Sequence, residues 1–443
     1  MQLPSLPSGN KLIYVLIGLG VLVVVLIFIV IIGGIGKQPA KVTLQLWGVF
    51  DERSAYSKAI SDFKKQYPNI NVTYTRQTAE DYEQKSLNAF AAGSGPDIWM
   101  IHNVWLPKHQ DKLRPQPKSL KGYKLKPITT IQFKEQFVDA AFKDLVSGGQ
   151  IYALPLYVDT LALYYNKNLF NSVGITRPPK IWKEVNADVE AVTRLDANGN
   201  IIQSAAALGT ASNINRSTDI LAALMLQSGV QMTNSDNTGA AFAKAVGQQN
   251  VGQIALEYYT DFTNPSKRTY TWNSGMHYSV DAFIEGSTAM MFNYSHQIPV
   301  IRQKAQRFDF GVAAFPQLDL TDQTNYASYW APAVPLASKH PNEAWLFINF
   351  LASKDPATNY LVATNRPAAR RDLIEAQKTD DELGIFALQA LSAKSWYQVD
   401  SSAVEKIFAD MINDVNFKRR SVRDALVNAE SRVNVLMQKA RKK

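Results

Sequence analysis

Two hydrophobic periods alternate along this chain from residue 42 onward. Val42-Thr43-Leu44-Gln45-Leu46-Trp47 sets apolar side chains at every second position, the period of a strand with one buried face. Tyr56, Ala59, Ile60, Phe63 and Tyr67 then recur at helical spacing, and Pro68 ends the run. Ile70, Val72 and Tyr74 alternate again. Thr78, with Asp81 three residues later, opens a second helix carrying Leu87, Phe90 and Ala91. Gly93-Ser94-Gly95-Pro96 breaks it, and Asp97-Ile98-Trp99-Met100-Ile101 reads as another strand. Strands alternating with helices predict an α/β chain whose sheets are mostly parallel and flanked by helices. Ligands of such sheets bind beyond the carboxyl ends of the strands. Trp47, with Asp51 just past it, lies at one such end, and His102, Asn103 and Trp105 lie at another.

The centre of the pattern is Gly149 to Asn166, rich in Tyr, Leu and Val. Pro155 removes a backbone donor and keeps Leu154 extended, so this run suits two short strands joined by a crossing linker. Asp159 sits in its middle. Burying a carboxylate there is costly unless donors meet it, and a ligand's hydroxyls could be those donors; water or nearby backbone N–H groups are the alternative. Before this run, Lys- and Pro-rich residues 111–126 read as a surface loop, and Phe133, Phe137, Ala140 and Ala141 as a helical stretch. After it, Trp182 to Val192, Ser217 to Gly229 and Ala255 to Phe262 read as helices. Asp196-Ala197-Asn198-Gly199-Asn200 starts like a calcium loop, but Ala207 stands where the twelfth-position acid is needed, so it reads as an Asn-Gly turn.

Ahead of all this, Leu12 to Ile35 carries no charge and is dominated by Leu, Val, Ile and Gly. It is long enough for a bilayer core of about 30 Å, and apolar on every face. A signal peptide has a shorter apolar region, of roughly 7–15 residues. The expected organisation is therefore a short cytoplasmic tail at 1–11 and a single-pass anchor at 12–36. Lys11 before the span and Lys37 and Lys41 after it do not decide its orientation. The remaining 400 or so residues can bury a large core, since 46% of the 443 are hydrophobic and 19% charged. There is no cysteine, which excludes disulfides, thiolate metal sites and a cysteine nucleophile. The net charge of +9 is modest at this length, and no Lys/Arg cluster is interleaved with aromatics, so nucleic acid is not an expected partner.

Several segments, in order and at consistent spacing, resemble the extracellular solute-binding proteins of the maltodextrin-binding kind. They are Leu87 to Ile98, Gly149 to Phe170, Pro178-Pro179-Lys180-Ile181-Trp182-Lys183-Glu184-Val185, Phe283 to Asn293, Phe310 to Pro316, Tyr329 to Val334, Asn342 to Ala352 and Arg366-Pro367-Ala368-Ala369-Arg370. The resemblance spans about Val42 to Met437. It implies a two-lobed periplasmic-binding-protein-like fold, with lobe 1 made of 41–157 and 316–366 and lobe 2 of 160–311 and 371–443. The chain would cross between lobes at Gly149–Asn166, at Phe310–Pro316 and at Arg366–Arg370. It also implies a hinge-closing receptor, acting as a monomer on the outer side of the cell membrane, that passes a sugar to the permease of an ABC importer. Asp159 corresponds to a cleft acid of that family, and Asn293, Tyr294 and His296 to the end of its Gly-x-x-Ala-Met strand. Where a related binder stacks a tryptophan, this chain has His296 or Tyr294, a departure that bears on ligand identity.

Sugars present apolar C–H faces and rims of hydroxyls, so aromatic faces edged by Asp, Asn or Arg suit them. The expected ligand-binding set is Trp47, Asp51, His102, Asn103, Trp105, Asp159, Asn293, Tyr294, His296, Tyr329, Trp330, Arg366 and Trp396; Trp99, Trp182 and Trp345 are assigned to core. No catalytic residue, metal ligand or cofactor motif is expected. Ser61-Asp62-Phe63-Lys64 fits Ser-x-x-Lys but lies on an ordinary amphipathic helix. Three alternatives stay open: a non-sugar solute such as a polyol phosphate or peptide, a sensory receptor, and an anchored glycan-cleaving enzyme with paired carboxylates across the cleft.

Overall fold

The computed structural model describes residues 13–14, 16–25 and 40–442. Residues 1–11 and much of the expected anchor, 12–36, lie outside them. Within that anchor, residues 16–25 are helical, with exposed apolar side chains. Among the described residues, no helix is long and apolar enough to cross a membrane.

In chain order the strands that build the sheets are β1 (Val42–Gly48), β2 (Ile70–Arg76), β3 (Ile98–His102), β4 (Leu113–Arg114), β5 (Asp159–Thr160), β6 (Ala162–Asn166) and β7 (Arg194–Leu195). They continue with β8 (Ile201–Ala206), β9 (Thr288–Asn293), β10 (Phe310–Ala314), β11 (Asn325–Ser328), β12 (Trp330–Pro335) and β13 (Ala393–Lys394). Two five-stranded sheets result, ordered β2-β1-β3-β12-β4 and β10-β6-β9-β8-β7. The sheets are mixed, which corrects the mostly parallel expectation. β1 pairs in parallel with β2 and β3, but β12 runs antiparallel to β3 and β4. In the second sheet only β8 and β9 run parallel, while β6 opposes both β9 and β10. The physical reason is traffic between lobes. β6 and β12 enter their sheets from the other lobe, so they run against strands fed by local helices.

Each sheet carries its own core. Leu44, Leu46, Trp99, Phe63, Trp345 and Phe347 belong to the first, and Leu163, Val185, Leu221, Phe283, Met290 and Phe408 to the second. Trp99 and Trp345 are fully buried and Trp182 nearly so, as their periodicity requires. The helix Ser54–Gln66 buries Tyr56, Ala59 and Phe63 on one face; Phe63 meets Phe347 edge-on at 5.0 Å. The helices Ser401–Asn416 and Val422–Arg441 close the second core with Ile407, Phe408, Met411, Leu426 and Val433. One helix start differs from expectation: Thr78 does not cap the helix Tyr82–Ala91.

Between the sheets lies a third, ordered β13-β11-β5, in which β11 pairs with β13 in parallel and with β5 in antiparallel register. All three crossings of the chain therefore run side by side. Phe310–Ala314 forms β10 inside the second sheet, and the chain crosses later, at Asn325–Ser328. Arg366–Arg370 stays with the first lobe: Ala368 bridges to Tyr157 and Arg370 to Phe137. Leu373, Ile374, Ala387, Ala390 and Ala393 pack in the first core and Phe386 in the second, so the helix Gly384–Ala390 lies between the lobes.

Gln389, on the helix Gly384–Ala390, pins the crossings together. Its Nε2 donates to Thr160 Oγ1 (2.9 Å) and the Leu161 carbonyl (3.0 Å), and its Oε1 accepts from the Phe315 N–H (2.7 Å). Replacing it by Leu leaves these buried groups unpaired. Gln389→Leu is expected to lower stability by about 2–3 kcal/mol, read as a shifted urea midpoint; an unchanged midpoint would show that the crossings do not depend on it.

Candidate functional site

Three chambers lie between the lobes. The first, about 420 Å³, is lined by Asp51, Tyr157, Asp159, Tyr294, His296 and Arg366 among others. The middle one, about 450 Å³, takes His102, Trp105, Asn215, Asp219, Trp396 and Glu405. The third, about 470 Å³, is lined by Asn103, Asp144, Gln231, Trp396 and Tyr397. Phe50, Arg216, Ser328 and Trp330 line both the first and the middle chamber, and so form a waist between them. Val104 and Trp396 are common to the middle and third.

The waist is built from unusual backbone. Phe50 and Arg216 have φ of 67° and 65°, two of five positive-φ residues other than glycine among the described residues. For a bulky side chain this conformation is strained, and such strain gathers at functional sites. Phe50 follows β1, its half-exposed ring edge-on to Trp330 at 6.0 Å. Arg216 precedes the helix Ser217–Gln227 and lies 5.4 Å from the Tyr294 ring. Trp330 opens β12 and rests against His102 (5.3 Å) and Trp105 (5.0 Å), so the first lobe presents an aromatic wall.

Of the residues expected from sequence, Asp51, His102, Asn103, Trp105, Asp159, Tyr294, His296, Trp330, Arg366 and Trp396 line one or more chambers. Three do not, and each correction has a packing reason. Trp47 turns toward the first core, Tyr329 is buried with its hydroxyl donating to Asp144 (2.8 Å), and Asn293 is buried behind the wall, donating to Asn215 (3.1 Å). Strand alternation places Tyr329 and Trp330 on opposite faces, so only one can reach the cleft.

Lining the cleft is not the same as offering it a free group. Asp51 accepts from Tyr56 (3.0 Å), Tyr360 (2.7 Å) and the Arg366 guanidinium (2.8 Å). Asp159 accepts from the Ser295 N–H (3.1 Å), the Ser295 hydroxyl (2.7 Å) and the Thr160 N–H (2.9 Å). Asn103 donates to Asp144 (3.0 Å). These side chains hold the walls. Phe50, Arg216, Asp219, Ser328 and Glu405 were missed, because they sit on loops and helix starts where no periodicity marks them. Asp219 accepts from the Tyr294 hydroxyl (2.8 Å) and, with Glu405, stands on the second lobe. No two unengaged carboxylates thus face each other from opposite lobes among the described residues, and no group there of three or more His, Cys, Asp or Glu could hold a metal. At the rim, Lys108 of the first lobe bonds Glu83 (2.7 Å) and reaches Asp400 (3.0 Å), the N-cap of the helix Ser401–Asn416.

Burial and electrostatics tune the walls in opposite directions. Burial raises Asp144 and Asp159 to about 6. Burial and then the charge of Arg216 hold His102 at about 3, and burial, Arg216 and Arg366 hold His296 at about 3. Both imidazoles are therefore neutral donor–acceptor groups at neutral pH. The His102 Nε2 lies 3.1 Å from the Ser328 hydroxyl.

Residues 47–358 match the family described as bacterial extracellular solute-binding protein. A binding protein of Brucella abortus is 24% identical over 294 residues, 66% of this chain and 67% of its own. The multiple sugar-binding protein of Streptococcus mutans is 23% identical over 344 residues, 76% of this chain and 77% of its own. Among solved structures, the cyclic α-maltosyl-1,6-maltose binding protein of Arthrobacter globiformis superposes with a TM-score of 0.74 at 19% identity, covering 90% of this chain and 100% of that one. At that identity the likeness shows the two-lobed fold.

A pH test follows from His102. Its folded value lies below the unfolded value of about 6.5, so its stabilisation is present above 6.5 and is lost as pH falls toward its folded value of about 3. Asp144 and Asp159, raised from 3.8 to about 6, act oppositely, gaining stability as pH falls from 6 toward 3.8. They are common to both proteins compared. Between pH 7.5 and 5, wild type should lose about 1–2 kcal/mol more than His102→Gln, read by urea unfolding at each pH. Equal losses would place the imidazole in contact with bulk water.

Proposed function

The chain belongs to the bacterial extracellular solute-binding proteins, and from that premise we propose that it is a receptor for a sugar or oligosaccharide, which it passes to an ABC importer. The observation that carries the reading is the waist. An aromatic wall of Phe50, Trp105 and Trp330 on one lobe faces the polar side chains of Asn215, Arg216, Asp219 and Glu405 on the other. A pyranose offers a C–H face to the first and hydroxyls to the second. Three adjoining chambers of 420 to 470 Å³ suit several sugar units better than one. The names of the Streptococcus mutans and Arthrobacter globiformis proteins point the same way.

The rest of the cycle is proposed with it. Closure bends the three-stranded crossing sheet and brings the waist together around the solute. The uncharged run 12–36 anchors the protein in the cell membrane with its lobes outside, beside the permease that takes the solute. The receptor works as a monomer, because one chain supplies both walls.

Thermal unfolding of the full chain in a sugar-free detergent, against a panel of mono- and oligosaccharides, tests this. A ligand at 100 times its Kd should add about 2.7 kcal/mol. In Trp330→Ala that ligand-induced increment should fall by more than half, whatever the variant's own stability. Absence of a saturable shift with any saccharide would sink the carbohydrate reading and leave the two-lobed fold standing; consumption of the sugar would mean an enzyme.

A further inference from the structure

The chemistry of the ligand is narrowed by what the first chamber still has to offer. Two guanidinium groups reach it from opposite sides. Arg216 comes from the second lobe and, among the described residues, its side chain donates no hydrogen bond and forms no ion pair; it lies 5.4 Å from the Tyr294 ring, and its charge acts on Asp219 and Glu405 of the middle chamber. Arg366 comes from the first lobe, lies over the Tyr157 ring at 4.2 Å, and spends one donor on Asp51 at 2.8 Å. A guanidinium has five N–H donors in a planar fork, so both keep donors for a ligand.

The acceptors of that chamber are already engaged. Asp51 is held by two tyrosine hydroxyls and Arg366, Asp159 by Ser295 and Thr160, and the Glu52 carboxylate by Arg76. The unspent capacity there is donor capacity of positive charge. The middle chamber is the reverse. Glu405 makes no hydrogen bond among the described residues, and Asp219, Gln398 and Ser401 line the same space. Hydroxyls fit beside those groups as donors.

We propose that the first chamber takes the acidic group, a carboxylate or a phosphate, of a sugar acid, sugar phosphate or polyol phosphate, clamped between Arg216 and Arg366, with the polyol body crossing the waist into the middle chamber. This rests on the reading of the cleft as a saccharide site and specifies it. An anion bonded to both guanidiniums also ties the lobes together, so the charged group is what drives closure. The backbone strain at Arg216 fits this role, since φ of 65° sets the direction in which its side chain leaves the backbone.

The test is a tryptophan-fluorescence titration of the full chain with matched pairs: glucose against glucuronate and glucose 6-phosphate, galactose against galacturonate and its dimer, glycerol against glycerol 3-phosphate. At least one acidic member should bind about tenfold or more tighter than its neutral partner, and the carboxylate and phosphate arms identify which acid. That preference should disappear in Arg216→Asn, a residue that tolerates positive φ, and persist in part in Arg216→Lys. Neutral saccharides binding as well as their acidic partners, or an acidic ligand indifferent to Arg216→Asn, overturns the inference while the saccharide receptor survives. Failure of every member of the panel overturns both.

Discussion

Everything this molecule can do depends on three short crossings held as one sheet. β5, β11 and β13 contribute eight residues in all, two, four and two. Hydrogen bonds within so small a sheet are few, and its integrity comes from buried side chains around it, Gln389 above all. The same sheet reaches the ligand site directly. Ser328, at the end of β11, pairs with Asp159 across the strands, lines two chambers and touches His102. Hinge and cleft are thus one structure, and a change of register at the crossings would displace the waist.

A second theme is the division of labour among polar groups. Burying Asp51, Asp144 or Asp159 is costly, and each is offset by donors from its own neighbourhood: tyrosine hydroxyls, Ser295, Asn103 or Arg366. The walls are in this way stiff before any ligand arrives. Arg216 and Glu405 on one lobe, whose side chains form no hydrogen bond or ion pair among the described residues, face the Trp330 and Phe50 rings of the other across the middle chamber. Two of them stand on strained backbone. Preorganised walls with a few unspent groups are what selective binding requires, because little ordering entropy is lost on association.

Much of the fold was legible in the residues. β1, β2, β3 and the helix Trp182–Val192 fall where the residues alone put them, and the strand ending at Asn293 where the resemblance puts it. Ten of thirteen expected cleft residues line a chamber, yet Asp51, Asn103 and Asp159 do so as wall supports. Trp47, Asn293 and Tyr329 point elsewhere, because which face of a strand meets the cleft depends on the sheet it joins. Sheet direction also escaped, since β6 and β12 take theirs from the lobe they leave.

The sequence by itself determined the local elements, the two-lobed class and the aromatic and acidic inventory of the cleft. The local elements follow from hydrophobic period and turn residues, which are properties of neighbouring residues; the two-lobed class and the cleft inventory follow from the ordered segments that resemble the solute-binding family. Only the tertiary structure decided where the chain crosses for the second and third time, which carboxylates are already bonded, and that the Arg216 guanidinium forms no hydrogen bond or ion pair among the described residues. The longest of those relations join residues far apart in the chain, 136 positions for Asp159 and Ser295 and 315 for Asp51 and Arg366. No local period encodes such a meeting; it exists once two separately built cores are placed against each other.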